Sequence, residues 1–226
     1  MSQKPQAVLW DMDGTLVDTE PYWMASETAL VESFGGTWSH EQALQLVGSG
    51  LNESAEILRA AGVDMAGDAI VDHLTDAVRR LLETRGVPFR PGARELLRDL
   101  QDAGIPSALV TMSLGRMARS VVDLIGFPAF DVVVPGDEVD RPKPHPEPYL
   151  KAARLLDIDI AEALVIEDSP TGLRAGLASG AVTLGVPHIV PLDGLGAHAL
   201  WPTLEGRTAS DLIDLHSTVT SAGVRG

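Results

Sequence analysis

Short apolar runs and helical stripes alternate along most of the chain. The runs are Ala7-Val8-Leu9-Trp10, Ser107-Ala108-Leu109-Val110, Val132-Val133-Val134, Leu164-Val165-Ile166 and Ala181-Val182-Thr183-Leu184. Such short, nearly continuous apolar segments predict strands buried on both faces. Between them, Leu96, Leu97, Leu100 and Ala103 recur at helical spacing. So do Met117, Val121, Val122 and Ile125, and then Tyr149, Leu150, Ala153 and Leu156. Gly104 and Gly126 directly follow the first two stripes, as glycine does at a helix C-terminus. Strands alternating with helices predict an α/β fold, a Rossmann-like parallel sheet covered on both faces.

One region breaks the alternation. Residues 18–88 carry no strand pattern and read as helices over about 21–34, 41–47, 52–61 and 66–85. A block of helices between the first and second strands predicts an inserted all-helical subdomain over 18–88. The α/β core is then 1–17 together with 89–226. The crossings near Asp18 and near Phe89-Arg90-Pro91-Gly92 form a natural hinge. A shorter closing helix is expected around Leu212, Ile213 and Leu215.

Composition narrows the partners. Of 226 residues, 45% are hydrophobic and 22% charged, enough for an ordered core. The formal net charge is −15, so nucleic acid and anionic lipid, which select basic surfaces, are not expected partners. With no cysteine, disulfides, thiolate chemistry and cysteine-ligated zinc are excluded. The longest uncharged stretch, 176–192, is interrupted by Gly and Pro and does not read as a membrane span. No apolar leader pattern precedes Ala7, and a cytoplasmic monomer is expected.

Four segments carry candidate chemistry. Asp11-Met12-Asp13-Gly14-Thr15 ends the first strand, and ligands of open parallel sheets bind at strand carboxyl ends. Carboxylates two residues apart point the same way on an extended chain, and a bound Mg²⁺ would relieve their repulsion. The alternative is a turn that merely ends the strand. Thr111, Met112 and Ser113 follow the second strand, where a hydroxyl and backbone N–H groups can hold phosphate or simply cap a helix. Lys143 lies between Pro142 and Pro144, on what reads as a stiff extended segment that would aim its ammonium; an exposed proline-rich ligand is the alternative. Glu167 and Asp168 end the fourth run, either completing a metal site opposite Asp11 or capping the helix opened by Ser169-Pro170. All four segments fall at the same end of different strands, which makes one coherent site of them.

In this order the four segments resemble the motifs of the haloacid dehalogenase superfamily. The helical insert resembles the C1 cap of its β-phosphoglucomutase-like branch. The resemblance implies that Asp11 is a nucleophile and Asp13 a general acid and base. It further implies that Thr111, Met112, Ser113 and Lys143 contact the transferring phosphoryl group. Asp11, Asp168 and the Asp13 main-chain carbonyl would hold Mg²⁺, with Glu167 in support. The implied activity is a Mg²⁺-dependent phosphatase for a small phosphorylated metabolite, working through an aspartyl phosphate.

Asp13 sharpens this reading. The family's dehalogenases lack an acid there, and its ATP-driven pumps carry threonine. The phosphonate-cleaving branch needs a cap lysine, and no lysine lies between Lys4 and Lys143. A phosphosugar mutase is the runner-up, and a catalytically silent binding protein on the same fold is a reading of another class. Mutases of the branch hold a second phosphate with basic cap residues, whereas the loop 47–53 offers Ser49 and Asn52. Those two and Glu20 are the candidate specificity residues, with Tyr22 and Trp23 either nearby or in helix packing. The six histidines show no metal-ligand spacing and are expected in surface or capping roles.

Overall fold

In the computed structural model, which describes residues 4–47 and 50–223, five apolar runs become strands. They are β1 (Ala7–Trp10), β2 (Ser107–Val110), β3 (Val132–Val134), β4 (Ala163–Glu167) and β5 (Val182–Gly185). A two-residue strand, β6 (Ala199–Leu200), was not legible in the sequence, since two residues carry no periodicity. All pairings are parallel, in the order β3-β2-β1-β4-β5-β6. The strand order therefore reverses between β1 and β4, the place where doubly wound sheets bind ligands.

Every residue of β1, β2, β4 and β5 is buried, as a sheet covered on both faces requires. Ala7, Leu9, Ala108, Val110, Ala163 and Val165 share a core with Tyr149 and Ala152 of α7 (Glu147–Leu155) and Ala175 of α8 (Pro170–Ser179). Elsewhere α5 (Ala93–Asp102) packs on β2, and α9 (Ala209–Gly223) on β5 and α5. The closing helix is thus far longer than the three-residue stripe around Leu212 announces. His216 within it is buried, against the surface role expected. The helix α6 (Gly115–Ile125) ends at Gly126 in the left-handed region, as the stripe predicts.

Residues Asp18–Pro88 form a separate compact unit. It holds four helices: α1 (Glu20–Ser33), α2 (His40–Leu44), α3 (Leu51–Ala60) and α4 (Gly67–Arg85). Helix α4 packs on α1 and α3, burying Leu30, Leu58, Ile70, Leu74, Val78 and Leu82. Ser39 and Gln42 cap α2 reciprocally. Where the chain leaves and re-enters the sheet unit, Val17 pairs antiparallel with Phe89, and the Arg90 amide donates to the Leu16 carbonyl. No helix among the described residues is long and apolar enough to cross a membrane.

Candidate active site

The C-terminal ends of β1, β2 and β4 bring the candidate residues together. Asp11 directly follows β1, and its amide donates to the Ile166 carbonyl of β4. Beside it, Lys143 Nζ donates to Asp11 Oδ1 at 2.6 Å, to Glu167 Oε1 at 2.7 Å and to the Val110 carbonyl at 2.9 Å. An ammonium has three protons, so all its donors are used and its direction is fixed. The lysine side chain is 4% exposed, that of Asp11 12% and that of Glu167 0%, so the three charges meet almost without water. Lys143 itself sits in a turn, closed by the His145 amide donating to the Pro142 carbonyl, with a cis Lys143–Pro144 peptide. This corrects the extended segment expected there: the hydrogen-bonded turn lets the lysine fold back onto Asp11 and Glu167.

Glu167 has no free acceptor side. Its Oε1 also takes the Tyr149 hydroxyl at 2.7 Å, and its Oε2 takes the amides of Asp168 and Ser169 and the Ser169 hydroxyl. Asp168, one residue on, accepts from the Thr15 hydroxyl through Oδ1 at 3.1 Å. Gly14 has φ +90°, a conformation L side chains rarely adopt.

Asp13 faces the β2 side. Its Oδ2 accepts from Ser113 Oγ at 2.7 Å and from Thr111 Oγ1 at 3.4 Å. Thr111 Oγ1 in turn accepts the Ser113 amide at 3.0 Å. Both hydroxyls therefore hold Asp13, and the Thr111 hydroxyl also holds the Ser113 backbone. Neither caps a helix, because α6 begins after Leu114 and its Gly115 amide donates to Asp137. Met112 is half-buried, and its sulfur accepts the Lys143 amide at 3.4 Å. The sequence missed Thr15 and Tyr149: one lies inside a motif without a role of its own, the other hides in an apolar stripe.

The candidate specificity residues lie in the helical unit. Glu20 opens α1, half-buried, and Asn52 is exposed on the first turn of α3. Ser49 lies outside the described residues. Tyr22 donates its hydroxyl to the Gly86 carbonyl at 3.3 Å, and Trp23 is buried.

The site has more negative charge than its one lysine offsets. Burial, and then repulsion from Glu167, push the Asp11 carboxyl up to about 7 against the pull of Lys143. Burial, Asp11 and Glu167 likewise hold Asp168 well above the usual carboxylate range. Burial opposes the Lys143 charge, but Asp11 and Glu167 outweigh it and hold the ammonium above the usual lysine range. Asp11, Glu167 and Asp168 each offer an oxygen within 4.8 Å of the others. Glu167 is already engaged by protein donors, so the hard oxygens of Asp11 and Asp168, strained by mutual repulsion, are the ones that fit a divalent hard cation.

Comparison with known proteins gives the family. The model of the haloacid dehalogenase-like hydrolases matches residues 8–186. The chain belongs to that family. Hexitol phosphatase A of Escherichia coli (strain K12) is 35% identical over 188 residues, covering 79% of this chain and 81% of its own. A phosphorylated carbohydrates phosphatase of Thermotoga maritima is 32% identical over 195 residues, covering 81% and 86%. Among solved structures, CbbY from Rhodobacter sphaeroides in complex with xylulose-(1,5)bisphosphate superposes with a TM-score of 0.79 at 28% identity, covering 89% of this chain and 96% of that one. A β-phosphoglucomutase from Clostridium difficile shares the fold, with a TM-score of 0.80 at 19% identity over 96% of this chain and 99% of that one. As a member of this family with phosphatases for relatives, the protein is a phosphoric monoester hydrolase.

Proposed function

We propose that this protein is a Mg²⁺-dependent phosphatase for a small phosphorylated sugar or related metabolite, acting through an aspartyl phosphate on Asp11. The observation that carries this reading is Asp11 itself: a buried carboxylate at a strand end, paired with a fully engaged lysine and standing two residues from a second, tethered acid. Named phosphatases of phosphorylated carbohydrates among its relatives support the substrate class.

In this reading a carboxylate oxygen of Asp11 attacks phosphorus and the bond to the leaving oxygen breaks. Asp13, held by Ser113 and Thr111, gives its proton to that oxygen, so the leaving group departs as a neutral alcohol. Asp13 then takes a proton from water, whose oxygen attacks the phosphoryl group. The acyl phosphate bond breaks, and inorganic phosphate and free Asp11 result. Lys143 stabilises negative charge on Asp11 and on the phosphoryl oxygens throughout, and Met112 and Ser113 border the phosphoryl site. Mg²⁺ held by Asp11, Asp168 and the Asp13 main-chain carbonyl would offset the charge between phosphate and carboxylates. Glu167, whose oxygens are all taken by protein donors, supports Lys143 and orders the backbone at Asp168. The helical unit serves as a cap that selects substrate, with Glu20, Ser49 and Asn52 as its candidate contacts.

The test is phosphate release from a panel of sugar, polyol and nucleotide monophosphates, with Asp11→Asn as control. Release that needs both Mg²⁺ and Asp11 is expected, highest on a phosphorylated sugar or polyol. Isomerised product that depends on an added bisphosphate would assign a mutase. No turnover of any member by folded protein would sink the reading.

A further inference from the structure

Tyr149 lies on the buried face of α7, where the sequence pattern asks only for an apolar side chain. A phenylalanine would fill the same space. The hydroxyl instead donates to Glu167 Oε1 at 2.7 Å, the same oxygen that accepts from Lys143 Nζ at 2.7 Å. The lysine nitrogen also stands 5.0 Å from the centroid of the Tyr149 ring. Tyr149 thus touches both members of the buried pair: the carboxylate through its hydroxyl, the cation through its ring. Tyr149 and Glu167 are both 0% exposed, so the hydroxyl and the carboxylate meet away from bulk water.

The consequence runs to Asp11. Three acceptors fix the direction of the Lys143 ammonium: Asp11 Oδ1, the Val110 carbonyl and Glu167 Oε1. The carbonyl is held by the sheet. Glu167 Oε2 is held by the backbone and hydroxyl at the start of α8. Oε1 has one neighbour besides the lysine that fixes it, and that neighbour is Tyr149. Without the hydroxyl, Oε1 keeps only Lys143 as a partner and draws the ammonium toward itself, away from Asp11.

We propose that Tyr149 is a positioning residue for phosphoryl transfer, setting the Glu167–Lys143 pair so that the ammonium addresses Asp11. It touches neither substrate nor the reacting atoms, and the proposal rests on the phosphatase reading above.

The test is Tyr149→Phe, which keeps the ring and deletes one hydroxyl. We expect kcat to fall about tenfold, as loss of one buried hydrogen bond to a charged group implies. KM should stay within about twofold, because the substrate loses no contact. The NMR signal of the Lys143 ammonium, assigned by its disappearance in Lys143→Met, should shift and exchange faster with water. A folded variant with native kcat and an unchanged ammonium signal overturns the proposal, as does a rise in KM at native kcat. If the wild-type protein releases no phosphate at all, the phosphatase reading fails, and the ammonium signal alone then decides whether Tyr149 sets Lys143. Should Tyr149→Phe not fold, fluorotyrosine incorporated in a Tyr22→Phe background labels the one remaining tyrosine of two. An altered phenol hydrogen bond must then move kcat, and an unmoved kcat overturns the proposal.

Discussion

A Cβ on Gly14 would stand 2.1 Å from Oδ2 of Asp168, so the backbone after the first acid pair rests directly against the carboxylate that ends the fourth strand. The close approach ties β1 to β4 across the point where the strand order reverses. It explains Gly14 twice over, through contact and through its φ of +90°. Gly14→Ala should therefore push Asp168 out of place and strain the turn together. We expect kcat/KM to fall more than about 100-fold and stability to drop by about 2–4 kcal/mol. Steady-state kinetics and urea melts measure both. An alanine variant with native activity would show that Asp168 tolerates displacement.

Ser113 should matter through Asp13. Its hydroxyl donates to Asp13 Oδ2 at 2.7 Å, a shorter contact than the 3.4 Å from Thr111. A general acid depends on orientation as well as on its proton. Ser113→Ala should lower kcat about tenfold with little change in KM, whereas a residue that mainly binds phosphate would raise KM. Thr111→Val should have the larger effect on folding, since Thr111 Oγ1 also accepts the buried Ser113 amide at 3.0 Å.

The carboxylates were legible because the apolar runs of β1 and β4 each stop abruptly at an acid. Asp11 after Trp10 and Glu167 after Ile166 need no further clue, once the runs are read as strands sharing one end. Lys143 was legible as a residue but not in its geometry, because flanking prolines permit both an extended segment and the turn found. The roles of Thr111 and Ser113 were half legible: their place after β2 is visible, but their bonds to Asp13 depend on a contact across about a hundred residues. Tyr149 was hidden because helical periodicity marks a buried position without saying what its polar atom will find. The two-residue β6 was hidden because pairing with β5, not its own pattern, makes it a strand.

Within the helical unit, Glu27 is a buried acid, 5% exposed, on the packed face of α1. Burial pushes its carboxyl up to about 7, and the Trp38 indole, short of a full hydrogen bond, lowers it only in part. A carboxyl raised in the folded state stabilises it below the unfolded value of 4.5, and that contribution is lost as pH rises through about 7. Glu27→Gln mimics the protonated form. The variant should exceed wild type by about 2 kcal/mol near pH 8 and match it near pH 5. Urea melts of both proteins at the two pH values decide this, and an equal difference at both would mean that ionisation of Glu27 has no part in stability.

Metal binding should be readable from stability as well as from turnover. Asp168 is held well above the usual carboxylate range by burial and by the charges of Asp11 and Glu167. Without a cation, an ionised Asp168 therefore works against the fold, increasingly so as pH rises through its folded value. A divalent ion reverses the balance by giving the cluster the positive charge that Lys143 alone does not supply. Mg²⁺ should raise the melting temperature of the wild-type protein, and chelator should lower it again. At a concentration about a hundred times Kd the gain should be about 2.7 kcal/mol. Asp168→Asn removes the repulsion and the ligand together. Without metal, near pH 8, it should melt at or above the wild type, and Mg²⁺ should leave its melting temperature unmoved while activity is lost. A full Mg²⁺ response in Asp168→Asn would place the ion's main ligands elsewhere than on this carboxylate.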